Sequence, residues 1–253
     1  MKKTQWIAAA LLLLSLTGCI FPAEDQTILI NDADSIEVTD NEDTKPPEEP
    51  EEAESDIVAI PEPPQDTQSF VRVQDYIPDI AVDLRYATTN NFTGTVIYAY
   101  DDAWLRYDTV RKLSDAQEQL KAQGYRLCIW DAFRSAKSQQ KLWETYPDGN
   151  YVANPANGYS GHTRGDTVDI TLITLEGEPV EMPSGFDDFT ALADRNYEDV
   201  SATAGEHAAL LESVMESCGF TGYDKEWWHY SDNGRAQNVM GMPGFYAGTP
   251  PMG

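Results

Sequence analysis

Two of the chain's three histidines lie near acidic residues at spacings that suit a metal site. His162 precedes Asp169 by seven residues in SGHTRGDTVDI, and His229 follows Glu226 by three residues in EWWHY. Two neutral imidazoles and one carboxylate form a common catalytic zinc set, which leaves a fourth tetrahedral position for water. A divalent cation also explains how Asp169 could stay ionised on a half-buried strand. We predict that His162, Asp169 and His229 bind one Zn2+ per chain.

Glu226 is the acid left over beside this predicted site, and it suits the role of a base. Water at a zinc ion has its pKa lowered toward about 7 but still needs a base during attack. Residues three apart point to opposite faces of a regular strand, so Glu226 and His229 can meet at one metal only if the segment turns or bulges. We expect Trp227 and Trp228 to pack away from the metal. The alternative for the histidines is a pair of core side chains with hydrogen-bonded rings.

The spacing of apolar residues predicts the helices and strands that must position these side chains. Strands are expected at YRLCIWDAF and at 167–173, a final strand or turn at KEWWHYS, and helices at 109–123, at SAKSQQKLWETY and at 203–218. Helices that alternate with a few short strands indicate an α+β domain. We predict a small, mainly antiparallel sheet flanked by helices.

Two of these elements carry further expectations. The strand at 167–173 alternates, which places its apolar residues on one face and Asp169 on the other. The helix at 203–218 should bury a stripe of large apolar side chains, and His207 lies off that stripe, so we expect a surface histidine. The residues expected in the helix stripe are Leu210, Val214 and Cys218, with Leu211 and Met215 beside them.

The N-terminus is typical of an exported lipoprotein. Lys2 and Lys3 precede an apolar run at 6–14 that is too short to span a bilayer as an ordinary helix. The run is followed by LTGC, which resembles the bacterial lipoprotein processing box, and the alternative is a plain secretory signal. We therefore predict a signal peptide over 1–18, lipidation of Cys19, and an extracytoplasmic protein anchored to a membrane of the cell envelope.

The charge of the chain is spread unevenly and divides it into regions. The net charge is −26, and residues 19–68 hold sixteen acids against the single base Lys45, with many prolines. Such a segment cannot bury enough apolar surface to order itself, so we predict an acidic tether there and one catalytic domain over 69–253. The acidic balance argues against nucleic acid as a partner. Cys128 and Cys218 could form a disulfide or remain buried free thiols.

Five sequence blocks, in matching order, resemble the D-alanyl-D-alanine dipeptidases, the VanX-like branch of the zinc DD-peptidases. The blocks cover most of the chain from Ile80 to Tyr230. The resemblance implies the Hedgehog/DD-peptidase-like fold and the hydrolysis of D-Ala-D-Ala, or a similar small cell-wall dipeptide, outside the cytoplasmic membrane. The five blocks are DLRYATTNNFTG, LCIWDAFRS, SGHTRGDTVDITL, MPSGFDDF and EWWHY.

The resemblance also implies roles for individual residues. His162, Asp169 and His229 match the family's zinc ligands, and Glu226 matches its catalytic base. The other matches concern the substrate. Arg134 would donate to the developing oxyanion, Asp187 would receive the substrate's ammonium with help from Tyr86, and Ser160 would lie near its carboxylate. Asp188 is the close rival of Asp187, and a serine that caps a turn would look the same as Ser160.

Two departures from the family pattern leave other functions open. Ser135 stands where the dipeptidases usually have a proline after the arginine, and in this respect the chain is more similar to the related DD-carboxypeptidases. The His-rich stretch that often follows the F-D-F block is absent, and the sequence there reads ALADRN. The second hypothesis is therefore a DD-carboxypeptidase that acts on peptidoglycan stem peptides. A third is a non-catalytic lipoprotein that binds wall peptides, although a binding protein has no need of the base Glu226.

Overall fold

The computed structural model describes residues 59–149, 151–158 and 160–234. The predicted signal peptide, Cys19 and the tether up to residue 58 lie outside the described residues. In the part of the chain that is described, no helix is both long and apolar enough to cross a bilayer.

A five-stranded sheet forms the centre of the domain. Its strand order is β2-β4-β5-β7-β6, and only the short β2 runs parallel to its neighbour, so the sheet is mainly antiparallel as predicted. A separate antiparallel pair joins β1 to β3. The strands are β1 Phe70–Arg72, β2 Ala81–Val82, β3 Trp104–Arg106, β4 Tyr125–Asp131, β5 Thr167–Thr174, β6 Phe220–Tyr223 and β7 Glu226–Asp232.

Helices flank this sheet, and the two longest contact each other and the strands. The apolar residues of α2 recur every three or four positions, and this periodicity places them on one buried stripe. Helices α2 and α5 begin and end within two residues of the predicted bounds. The helices are α1 Val73–Tyr76, α2 Tyr107–Lys121, α3 Ala136–Thr145, α4 Gly161–Arg164 and α5 Ala202–Ser217, with short 3-10 turns at Arg85–Ala87, Pro155–Asn157, Ala191–Ala193 and Tyr197–Asp199.

Two expectations about burial were wrong in part. In α5, Leu210 and Cys218 are only partly buried, because the helix turns Ala204, Ala208 and Leu211 inward together with Val214 and Met215. A search for large apolar residues overlooks alanines that face a sheet. In β5 both faces are buried, Asp169 included, because α4 contacts the strand and the chain around Phe186 packs onto the core.

The two cysteines of the domain are free thiols. Cys128 is buried, and this burial raises the pKa of its thiol to about 11. Cys218 is half-buried, and Gln119 donates a hydrogen bond to its sulfur at 3.1 Å. The open alternative between a disulfide and free thiols is therefore resolved in favour of free thiols.

Candidate active site

Three neighbouring strands place acidic and imidazole side chains in one row across the sheet. Asp169 on β5 lies directly opposite His229 on β7, and on its other side it lies opposite Asp131 on β4. His162 reaches the row from α4, a single turn that ends at Gly165 in the left-handed conformation, with φ of 76°. The chain therefore folds back so that His162 lies over the strand that follows it.

The side chains of His162, Asp169 and His229 converge on one point. Their ligand atoms all lie within 4.8 Å of one another. Nδ1 of His229 is 2.9 Å from Oδ1 of Asp169, and Nε2 of His162 is 3.4 Å from Oδ2. Although Oδ1 of Asp169 is buried and this close to a nitrogen, it accepts no hydrogen bond. A cation between the three groups would satisfy this oxygen, so the residues fit a zinc ion.

The ring of His162 is oriented by a contact on its far side. Its Nδ1 lies 2.9 Å from the carbonyl oxygen of Ala132. A carbonyl can only accept, so Nδ1 must donate the hydrogen, and Nε2 is the nitrogen whose lone pair is available to a metal once its own proton has left. Metal-binding histidines usually donate their second nitrogen in this way, which fixes the tautomer.

Electrostatic interactions inside the triad are strong. Burial alone would lower the pKa of His162, but the carboxylates of Asp169 and Asp131 outweigh burial and raise it to about 8. Burial would raise the pKa of Asp169, but His162 and His229 hold it well below its usual range. The carboxylate therefore stays ionised, and a metal ion that bound here at neutral pH would have to displace a proton from His162.

Glu226 lies beside this triad because β7 bulges, as its spacing from His229 requires. The register of β7 against β6 shifts between Gly222 and Tyr223. The bulge brings Oε2 of Glu226 to 3.5 Å from Nδ1 of His229. Burial raises the pKa of Glu226 to about 7, against the lowering effect of His229. A carboxylate with a pKa near neutrality suits proton transfer in both directions.

Arg134 lies in the same cleft, buried and held by several hydrogen bonds. Its Nη2 donates to Asp131 at 2.5 Å, its Nε to the hydroxyl of Tyr98 at 3.1 Å and its Nη1 to Gln139 at 3.0 Å. Burial is the largest single influence and would lower its pKa, but Asp131, Tyr98 and Tyr86 together outweigh burial and raise the pKa well above the ordinary value. The guanidinium is thus a fixed positive charge at the wall of the cleft.

We expect Arg134→Lys to lower kcat by about 10²–10³-fold, the usual effect of losing an oxyanion donor. A lysine keeps the charge beside Asp131 but cannot reproduce the planar fork that bonds three partners at once. Steady-state kinetics on the zinc-loaded protein measures the effect. Arg111→Lys is the control, because Arg111 is exposed on α2 and should leave kcat unchanged. Equal kcat values in the two variants would contradict a role for Arg134.

The structure separates Asp187 from its neighbour Asp188. Asp187 adopts a left-handed backbone with φ of 51°, which is uncommon outside glycine, and accepts a hydrogen bond from Tyr86 at 2.6 Å. Burial raises the pKa of Asp187 to about 7, although the Tyr86 hydrogen bond opposes this rise. Asp188 instead accepts a hydrogen bond from the backbone N–H of Thr190. Of the two, Asp187 is the one that lines the cleft with the triad.

Two other residues named from the sequence have structural contacts. Ser160 lines the cleft, but its hydroxyl also caps α4 by accepting a hydrogen bond from the backbone N–H of Thr163 at 3.2 Å. His207 is half-buried and not fully on the surface, with Nε2 3.1 Å from the hydroxyl of Tyr125 and Nδ1 2.8 Å from the carbonyl of Glu181. It does not line the cleft.

The structure also adds residues that the sequence reasoning missed. Asp131 is fully buried and contacts both Arg134 and Nδ1 of His162, the latter at 3.5 Å. Its hydrogen bond from Tyr98 is 2.5 Å long. An acid in the apolar strand CIWDAF poses the same question as Asp169 and could have been found by the same argument.

The cleft, of about 280 Å³, is lined by the triad, Glu226, Arg134 and Asp187. This is near the lower end of small-molecule sites, so it suits a small ligand. The donor set is the one that zinc metallopeptidases use, with two imidazoles and a carboxylate for the metal and a second acid beside them. The family model described as D-ala-D-ala dipeptidase matches residues 66–244. The chain belongs to this family.

Known proteins similar to this chain include two curated relatives. The D-alanyl-D-alanine dipeptidase of Escherichia coli K12 is 33% identical over 165 residues, which are 65% of this chain and 85% of the relative. The D-alanyl-D-alanine dipeptidase of Enterococcus faecium is 31% identical over 181 residues, 64% of this chain and 90% of the relative. A solved structure of the vancomycin resistance D,D-pentapeptidase VanY with Zn(II) is 17% identical, with a TM-score of 0.35, and the match covers 54% of this chain and 76% of that one.

Proposed function

We propose that this protein is a zinc dipeptidase that hydrolyses free D-Ala-D-Ala or a closely similar dipeptide. The observation that carries the proposal is the convergence of His162, Asp169 and His229 beside Glu226. Membership of the dipeptidase family supports the choice of substrate. The small cleft and the acid Asp187 in its lining suit a short substrate that has a free amine.

The residues of the cleft have separate tasks in the reaction. His162, Asp169 and His229 would hold the zinc ion, which would supply a Lewis acid for the peptide carbonyl and would lower the pKa of water. Glu226 accepts a proton from the attacking water and passes it to the nitrogen of the leaving D-alanine. Arg134 donates hydrogen bonds to the oxygen that becomes negative during attack, and its contacts with Asp131 keep it in place.

The ends of the dipeptide are bound at different parts of the cleft. The carboxylate of Asp187 pairs with the substrate's ammonium, and Tyr86 orients that carboxylate through its hydrogen bond. Because an acid rewards a positive charge, this end of the site favours a free N-terminus. Ser160 lies on the wall of the cleft near the triad, where it can contact the substrate's carboxylate.

The proposed function is tested by measuring D-alanine release from free D-Ala-D-Ala by the zinc-loaded protein. We expect turnover that a chelator abolishes and that added zinc restores. A pentapeptide stem is assayed in parallel, because a DD-carboxypeptidase would prefer it. Failure of the fully zinc-loaded protein to cleave the dipeptide removes this substrate assignment.

We expect Asp187→Asn to raise KM for D-Ala-D-Ala by about 10–100-fold, the usual effect of losing a hydrogen bond to a charged group. Asparagine also tolerates the left-handed backbone, so the change tests charge without altering conformation. Asp188→Asn is the control, because an amide oxygen can still accept the hydrogen bond from Thr190. A larger rise in KM for Asp188→Asn would reverse the assignment of the two acids.

The same residue predicts a pH dependence. The substrate's ammonium binds the ionised carboxylate, whereas the pKa of Asp187 in the free protein is about 7. Below that pH a bound proton must leave before substrate binds, so KM should rise as pH falls below about 7. In Asp187→Asn this rise should disappear. A KM that stays constant from pH 8 to pH 5.5 in the wild type would contradict the prediction.

The carboxypeptidase hypothesis loses one of its supports in the structure. Ser135, the residue that departs from the dipeptidase pattern, caps α3 by accepting a hydrogen bond from the backbone N–H of Ser138 at 3.0 Å. Serine is among the preferred residues at this position of a helix. Its presence therefore has a local reason that is independent of the substrate.

We propose further that the protein is a lipoprotein outside the cytoplasmic membrane. The basic start, the short apolar run and LTGC occur in the required order, and an acidic, proline-rich segment follows as a tether before the catalytic domain at 69–253. Mass spectrometry of the mature protein should find a lipidated N-terminal Cys19. Cys19→Ser should move the protein from the membrane fraction to the soluble fraction; an unchanged membrane fraction would refute the anchor.

A further inference from the structure

The bulge of β7 leaves part of its backbone without a neighbouring strand. Gly222 of β6 pairs with Tyr230, and the next residue, Tyr223, pairs with Glu226. Residues 227–229 therefore have no opposite residue in β6, and β5 pairs with β7 only from His229 onward. Buried carbonyl groups in such a segment need other donors, because an unpaired one costs free energy comparable to a lost hydrogen bond.

A single side chain, Arg195, reaches the carbonyls of two of these three residues and that of the neighbouring Glu226. Its Nη2 lies 3.3, 3.1 and 3.1 Å from the carbonyl oxygens of Glu226, Trp227 and His229. Its Nε donates to the carbonyl of Tyr223 at 3.0 Å, across the register shift. One guanidinium thus binds the backbone of both strands at the place where their regular pairing fails.

Arg195 is held firmly in this position. Its side chain is only 10% exposed, with Nη1 3.4 Å from Glu212 and 3.2 Å from the hydroxyl of Tyr230. A Cβ atom at Gly222 would lie 2.3 Å from the Cζ of Arg195, so the guanidinium occupies space that any larger residue at Gly222 would need. The close approach of β6 and Arg195 therefore depends on that glycine.

We propose that Arg195 is a positioning residue for the hydrolytic reaction. It stabilises the bulge that turns Glu226 and His229, three residues apart, toward the same metal site. It acts through the backbone of β7 and touches neither the substrate nor the reacting atoms. This inference rests on the proposed function for its kinetic consequence, but its consequence for zinc binding is independent of the substrate.

The test compares Arg195→Ala with Arg195→Lys and the wild type. We expect Arg195→Ala to lower both kcat and zinc affinity by about 10–100-fold, as losses of outer hydrogen-bond partners do at metal sites, while KM for D-Ala-D-Ala changes by less than about threefold. Guanidinium ion at low concentration should restore part of kcat in Arg195→Ala. Arg195→Lys should fall between the two, because lysine keeps the charge but lacks the fork.

Arg126→Ala is the matched control, because Arg126 also donates to a backbone carbonyl, that of Asp79. Arg126 lies at the end of β4 that is far from Asp131. The Arg126→Ala change should leave zinc affinity unchanged.

Gly222→Ala provides a second route to the same defect if Arg195→Ala fails to fold. The proposal would be overturned if folded Arg195→Ala or Gly222→Ala kept the kcat and the zinc affinity of the wild type. If the wild type fails to cleave D-Ala-D-Ala, the proposed function is lost, and zinc affinity still decides the role of Arg195.

Discussion

Glu226→Gln should lower kcat for D-Ala-D-Ala by about 10²–10⁴-fold, the usual contribution of a positioned general base, while the protein still binds one zinc ion. Glutamine has almost the same shape as glutamate but cannot accept a proton from water. Its side chain would still fill the space beside His229, where Oε2 of Glu226 lies 3.5 Å from the ring. Steady-state kinetics and metal analysis on the same preparation measure the two quantities.

The control for this change is Glu206→Gln. Glu206 is an exposed glutamate on α5, so its replacement should alter neither turnover nor zinc content. Full activity in Glu226→Gln would exclude Glu226 as the base. A loss of zinc that parallels the loss of activity would instead show that Glu226 is a ligand. The same experiment therefore separates a catalytic protein from one that merely binds metal and wall peptides, because the latter would not depend on a base.

Asp169→Asn should weaken zinc binding strongly, and activity at limiting zinc should disappear with it. The loss of a residue that only hydrogen-bonds to a metal ligand lowers affinity by about 10–100-fold, and we expect a larger loss here because Asp169 is itself a proposed ligand. The change removes the carboxylate that both imidazoles face at 2.9 and 3.4 Å. Asparagine preserves the size of the side chain but supplies a neutral oxygen where an anionic ligand was present. Competition with a chromophoric chelator gives the affinity directly.

Thermal unfolding gives a second readout for Asp169→Asn. Zinc at about a hundred times its Kd stabilises a protein by about 2.7 kcal/mol, so the Tm of the wild type should rise when zinc is added and that of Asp169→Asn should not. Asp166→Asn is the matched control, since Asp166 is also buried and pairs with Arg164. It should retain the zinc-dependent rise in Tm. A rise of equal size in Asp169→Asn would exclude Asp169 as a ligand.

The chemistry of the site could be predicted from residue types and their neighbours. Their types and neighbours predict His162, Asp169 and His229 as ligands, because zinc prefers such groups and because an acid on a half-buried strand needs a positive partner. The same reasoning reached Glu226 and required that its segment turn or bulge, and the register shift between β6 and β7 shows that it bulges. The α+β class and the main helices also followed from apolar periodicity, because that pattern is a local property of the chain.

Other features depended on contacts between distant segments. The row of Asp131, Asp169 and His229 exists because β4, β5 and β7 are adjacent in a particular register. The proposed role of Asp187, and not Asp188, rests on a hydrogen bond from Tyr86, a residue 101 positions earlier in the chain. Sequence alone offers both acids equally, because neighbouring residues share the same local pattern.

The residue types thus determined which ion and which reaction the protein could support, because ligand preference and basicity are properties of individual side chains. The tertiary structure decided how those side chains are placed. Arg195 donates hydrogen bonds to backbone carbonyls of the bulge next to Glu226. It lies in the segment ALADRN, which has no sequence pattern that indicates such a role. Strand register and backbone hydrogen bonds between remote segments are set by the folded chain as a whole, so no local pattern could have shown them.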